Sequence, residues 1–91
     1  MEPNVRNNEE GSRYELEVDG HVALAAYRLS DGRIVFTHTE VPEALEGQGV
    51  GSRLVAGALE DVRAKGLKVV PACSFVRHYI ERHRDVQDLL A

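Results

Sequence analysis

The stretch Glu40-Val-Pro-Glu-Ala-Leu-Glu-Gly-Gln-Gly-Val-Gly-Ser-Arg-Leu54 decides how this 91-residue chain is read, because three glycines at alternate positions, Gly47, Gly49 and Gly51, stand directly before a helical pattern. Glycine is a poor helix former and loses more backbone entropy on folding than other residues. Three together mark a place where bare backbone turns sharply or lets something approach. Forward of them, Val50, Leu54, Val55, Ala58, Leu59 and Val62 fall within half of a helical wheel, with Arg53, Glu60 and Arg63 opposite. Gly66 ends that helix at its C′ position, and Lys65 suits the negative end of its dipole. Leu67 to Ala72 then reads as a short strand that Pro71 confines to an edge, a bulge or its last residues. Ser74 is placed to cap a final helix carrying Phe75, Val76, Tyr79 and Ile80 on one side.

Backward of the glycines, Arg33 to Val41 is rich in Ile, Val, Phe and Thr and ends at Pro42. Before it come an alternating segment with Tyr14, Leu16 and Val18, a turn at Asp19-Gly20, an apolar run from His21 to Leu29, and a turn at Ser30-Asp31-Gly32. Residues 13 to 41 therefore predict a three-stranded antiparallel meander. Residues 1 to 12 are polar and read as a flexible N-terminal tail, leaving 13–91 as the folded domain. The order strand, strand, strand, helix, strand, helix predicts an α/β (α+β) fold with a mixed sheet. A right-handed crossover makes the strand at 67 to 72 parallel to that at 33 to 41. Parallel strands end on one edge, so His38 and Cys73 are expected to arrive close together beside the helix N-terminus, where ligands of α/β units gather. His38 is also expected to share a face with Ile34 and Phe36 and to be partly buried.

Composition bounds the function. With 43% apolar and 29% charged residues the chain has the make-up of one small globular domain. No apolar run approaches the ~20 residues of a membrane span, and MEPNVRNNEE lacks a signal-peptide core, so the chain reads as cytoplasmic, with no membrane partner. A formal charge of -4 argues against nucleic acid, which needs a basic surface. The single cysteine, Cys73, permits no internal disulfide and no Cys-rich zinc site, and His78 and His83, five apart, lie on different helix faces; no metal is expected.

A glycine loop entering a helix offers free N–H groups at the positive end of the dipole, a place for a diphosphate. Gly47-Gln-Gly49-Val-Gly51-Ser lacks the last glycine of G-x-G-x-x-G and the Lys of a Walker loop, which argues against a dinucleotide fold or an NTPase. A plain turn, with Gly51 needed for close packing of helix on sheet, is the competing reading. The run Gly47-Gln-Gly49-Val-Gly51 resembles the acetyl-CoA loop of the GNAT acetyltransferase superfamily, written as Arg or Gln, two residues, Gly, one residue, and Gly or Ala. Together with His38-Thr39-Glu40-Val41-Pro42 and Pro71-Ala72-Cys73-Ser74-Phe75 it is similar to the small single-domain GNAT-like N-acetyltransferase family of the bacterial YjdJ type.

That resemblance implies a GNAT-like acetyl-CoA-binding domain over 13–91 and transfer of an acetyl group to an amine, with acetyl-CoA as co-substrate. It implies that the loop Gly47, Gln48, Gly49, Val50, Gly51 and Ser52 grips the diphosphate, and that Thr39, Glu40 and Val41 lend backbone groups to the pantetheine arm. The sequence departs from the pattern at Glu46, which stands where Arg or Gln is usual; Arg53 is then the compensating cation. In the family the matching His and Cys are candidate active-site residues, which assigns catalysis to His38 and Cys73. A neutral imidazole can take the proton an ammonium must lose, and a cysteine beside a helix N-terminus is favoured as thiolate. Each also has a bland reading, as a satisfied histidine and a packed thiol. Direct transfer and an acetylated Cys73 both stay open, and Tyr79 reads as core or as the acid that protonates the departing sulfur. The basic run from Arg77 to Arg84 reads as a solvated helix face, or as a contact for the outer phosphate of coenzyme A or an acidic partner. The acceptor, a small amine or a protein, is not legible. A coenzyme A-binding module or sensor without turnover is the rival function.

Overall fold

The computed structural model describes residues 4–91. Five strands form one sheet in sequence order: β1 (Val5–Asn8), β2 (Arg13–Val18), β3 (His21–Ser30), β4 (Arg33–Glu40) and β5 (Lys68–Pro71). Neighbours among the first four are antiparallel, and β5 is parallel to β4, with Ile34 beside Val69 and Phe36 beside Pro71. The expected meander and crossover are therefore present. Helix α1 (Val50–Ala64) makes the crossover and touches all five strands, while α2 (Ser74–Arg82) packs on β4, β5 and α1.

Both helices rest on the face toward which Tyr14, Leu16, Ala23, Ala25, Tyr27, Ile34 and Phe36 point, and Leu54, Val55, Ala58, Leu59 and Val62 close the core from above. The apolar arc read from the helical period is the buried one. Tyr14 carries a polar tie through this core: its phenol donates to Asp61 Oδ2 at 2.6 Å, joining β2 to α1. Burial, and then the Asp61 carboxylate, push the Tyr14 phenol far above its ordinary range, so it stays protonated and remains the donor.

The N-terminal segment corrects the expected tail over residues 1 to 12. Met1 to Pro3 lie outside the described residues, but Val5–Asn8 is a strand in register with β2. It is held by polar groups that hydrophobic periodicity does not register. Arg6, Asn8 and Arg13 all donate to the carboxylate of Glu15, at 2.6 to 3.1 Å, and the Tyr27 hydroxyl donates to Asn7 Oδ1 at 2.6 Å. Glu15 is only 5% exposed, covered by these side chains rather than by the core. Hydrogen bonds from Asn8, Arg6 and Arg13 lower its pKa to about 2.

The start of α2 is a second correction. Cys73, not Ser74, is its N-cap, with extended backbone at φ -85° and ψ 129°, and Ser74 is the first helical residue.

Candidate functional site

The three alternate glycines have two different reasons. Gly47 and Gly49 take φ of 79° and 72°, the left-handed region that side chains with a Cβ disfavour, and so swing the chain from the 3-10 turn Glu43–Leu45 into α1. Gly51 has ordinary helical backbone but no room: a Cβ there would lie 2.6 Å from Cζ of Phe75. Its close neighbour is thus a ring of α2, where packing against the sheet was the expectation. The first hydrogen bond of the helical ladder runs from Arg53 N–H to Gly49 O at 3.1 Å, so the amides of Val50, Gly51 and Ser52 lie ahead of it.

At this mouth opens a cleft of about 540 Å³ lined by Thr39, Val41, Leu45, Glu46, Gly47, Gly49, Val50, Gly51, Ser52 and Phe75. Seven expected ligand residues therefore meet in one place: Thr39, Val41, Gly47, Gly49, Val50, Gly51 and Ser52. Three do not line it. Glu40 faces the other side of the sheet, Gln48 turns back to donate to Ala44 O at 3.3 Å, and Arg53 sits one turn into α1 with a partner of its own. Sequence reasoning did not assign Leu45 and Phe75 to the site. The signal for Phe75 was the glycine opposite it, visible only once α2 is docked. Glu46 stands in the cleft, and no Lys or Arg does.

A bulge in β4 decides the rest of the geometry. Phe36 pairs with Tyr27 and His38 with Ala26, which leaves Thr37 as an extra residue; its hydroxyl donates to Ala26 O at 3.4 Å. Beyond it the alternation is inverted. Thr39 pairs with buried Ala25 and faces the helices, while His38 and Glu40 pair with Ala26 and Leu24 on the opposite face. The expectation that His38 shares the face of Ile34 and Phe36 is thus overturned. Its side chain is 59% exposed, and its Nε2 lies 3.0 Å from Glu40 Oε2.

The neighbour that Cys73 finds on β4 is Thr39, with Sγ 3.2 Å from Oγ1, so the expected His38 and Cys73 pair does not form. Cys73 is 8% exposed. Burial alone would push its thiol up, but hydrogen bonds from the Thr39 hydroxyl and from the amides of Val76, Phe75 and Thr39 lower its pKa overall. Cys73 N–H donates to Phe36 O at 2.9 Å, after which β4 continues to Glu40 paired with β3 only. Past Phe36, the side of β4 facing away from β3 has no strand beside it.

Tyr79 packs against the core margin with its ring stacked on His83 at 3.8 Å, and it lies outside this cleft. Among the described residues no cluster of three metal-ligating side chains occurs. No helix is long and apolar enough to cross a membrane.

Comparison with known proteins bears on this arrangement directly. The family model described as GCN5-related N-acetyl-transferase matches residues 13–89. The chain is similar to the solution structure of a GCN5-like protein from Staphylococcus aureus, with a TM-score of 0.74 and 31% identity over 96% of this chain and 86% of that one. Protein NATD1 of Gallus gallus and of Mus musculus is 34% identical over 62 residues, 67% of this chain and 56% of the relative. The match thus spans little more than half the length of those curated relatives. The chain belongs to the GCN5-related N-acetyltransferase family.

Proposed function

We propose that this GNAT-family chain binds acetyl-CoA in the cleft at the mouth of α1 and transfers its acetyl group to an amine. The observation that carries the reading is the continuity of two features. Unladdered amides at Gly49 to Ser52 suit a diphosphate, and the cleft runs from them to Thr39 and Val41 at the end of β4, whose side away from β3 has no strand beside it past Phe36 among the described residues. An amide-bearing pantetheine arm can pair with such an edge as a peptide does. The absence of a Cβ at Gly51, with Phe75 against it, keeps the helix mouth open on that line.

In the direct route the thioester lies in the gap between β4 and β5, and the acceptor arrives from the face that holds His38. The neutral amine attacks the thioester carbonyl, the carbon–sulfur bond breaks, coenzyme A leaves as thiolate, and the amine proton passes to His38 directly or through water. Backbone N–H groups stabilise the oxyanion. Cys73 offers a second route from the helix side, in which its sulfur takes the acetyl group first; its lowered pKa favours that reading. A coenzyme A-binding module without turnover is favoured by the exposure of His38 and its separation from Cys73.

Thermal shift with acetyl-CoA and with coenzyme A tests binding, and a rise is expected. Release of free thiol across an amine panel, lost in His38→Ala, marks the transferase; a rise without release marks the module. Intact mass after incubation with acetyl-CoA shows an acetyl group on Cys73 only if the covalent route operates.

A further inference from the structure

The bulge at Thr37 does more than turn His38 outward: it sets His38 and Glu40 two residues apart on the face of the sheet opposite the helices. Their cross-strand partners are Ala26 and Leu24, which bring no charge. Arg13, the next residue in that row beyond Ala26, has its guanidinium held by Glu15, with Nε 2.7 Å from Oε2. Among the described residues Glu40 therefore keeps one side-chain partner, the His38 ring, with Oε2 3.0 Å from Nε2. The other ring nitrogen, Nδ1, has no partner among them.

An ionised carboxylate only accepts hydrogen bonds, so this contact calls for the proton of the neutral ring on Nε2 and leaves the lone pair on Nδ1. Resting on the reading of His38 as the base, we propose that Glu40 is its positioning residue: the carboxylate holds the Nε2–H tautomer, leaves Nδ1 to take the proton of the amine, and faces the imidazolium as it forms. As the amine nitrogen bonds to the thioester carbon, its proton passes to Nδ1, while the Nε2 proton stays on the ring and Glu40 stays ionised. Once coenzyme A has left as thiolate, water takes the proton from Nδ1 and restores the base. The family resemblance gives Glu40 a role through its backbone alone; its side chain works on the other face of the sheet. The side chains of His38 and Glu40 are 59% and 63% exposed, so water screens the pair, and the effect is smaller than that of a buried orienting carboxylate.

The test compares the wild-type chain with Glu40→Gln, His38→Ala and the double variant. The first readout needs no acceptor: long-range 1H–15N spectra of the His38 ring in alkaline solution. The wild type is expected to show Nε2 protonated and Nδ1 bare. In Glu40→Gln the two shifts draw together, because a carboxamide can accept from one tautomer and donate to the other. The second readout is thiol release from acetyl-CoA with n-butylamine, the amine end of a lysine side chain. Glu40→Gln is expected to lower kcat about fivefold, the scale of an exposed charge contact, with the KM for acetyl-CoA unchanged. In the His38→Ala background the same substitution should cost nothing more, since Glu40 acts through the ring. Both side chains are exposed, so the variants are expected to fold. Ring shifts already averaged in the wild type, an unchanged kcat in Glu40→Gln, or a further loss in the double variant overturns the assignment and leaves the transferase reading intact. A wild type that releases no thiol with the amine overturns both.

Discussion

At the β1–β2 edge the sheet is sealed by polar side chains, whereas at the β4–β5 edge the backbone itself separates after Phe36 and Pro71. The first edge spends an almost buried carboxylate, Glu15, on three donors whose only visible task is to hold a four-residue strand. The second leaves the amides of Val50, Gly51 and Ser52 ahead of the helical ladder and, among the described residues, the side of β4 away from β3 without a strand past Phe36, beside a cleft. Closed polar groups stabilise; open ones recognise. The contrast teaches that a small domain can leave one sheet edge open beside a cleft while fastening the opposite edge with polar groups.

The sharpest way to break this comparison is to change each edge and ask which property moves. At the open edge His38→Ala is expected to cut amine-dependent thiol release by about 10²–10⁴-fold. It should leave the unfolding free energy within about 0.5 kcal/mol, because the side chain is exposed. Steady-state assay and denaturant unfolding read the two.

Gly51→Ala should act on binding next. The new Cβ meets the Phe75 ring at 2.6 Å, and the ring has to shift at the cleft mouth. Overpacking of about 1–3 kcal/mol corresponds to a loss of roughly tenfold in coenzyme A affinity, measured by calorimetry.

At the sealed edge Glu15→Gln should lower stability by about 1–2 kcal/mol at neutral pH and leave turnover alone. The sign follows from a folded pKa of about 2 against an ordinary 4.5. The carboxylate's contribution is whole above the ordinary value and is lost as pH falls through that interval. Wild type and variant should therefore converge in denaturant midpoint toward pH 2.

Two smaller effects sharpen the picture of the open edge. Glu46→Gln removes a carboxylate from a cleft without a cation, and coenzyme A should bind about fivefold more tightly, the scale of an exposed charge contact. Thr39→Val deletes a hydroxyl that lowers the Cys73 pKa. The pH at which iodoacetamide alkylates Cys73 should then move upward.

Much of this molecule was legible because its elements bury one face. The alternation in β2 and β3, the arc from Val50 to Val62, and Gly66 at the helix end each follow from periodicity or backbone freedom, and each is found. The glycine loop was legible for the same reason, while its meeting with Thr39 and Val41 was expected only from the family resemblance. What stayed hidden depends on partners distant in sequence. The strand Val5–Asn8 offers a single apolar residue, Val5, at the core margin, and its side-chain ties run to Glu15 and Tyr27, distant in sequence. The bulge at Thr37 leaves no mark, because Ile34, Phe36 and His38 keep regular spacing while the backbone slips by one. That slip sends His38 to the open face and brings Thr39 to Cys73. The N-cap position of Cys73 escaped because cysteine is outside the usual capping set.

The central claim is that coenzyme A lies along the mouth of α1 and the side of β4 that β5 leaves open past Phe36. Titration of the 15N-labelled chain with coenzyme A, read as amide shifts in two-dimensional NMR, tests it most directly. The account predicts the largest shifts at Gly47, Gly49, Val50, Gly51 and Ser52, and at Thr39 to Val41, with Arg6 to Glu15 unmoved. Saturable shifts confined to other strands, or none at millimolar ligand, would contradict it.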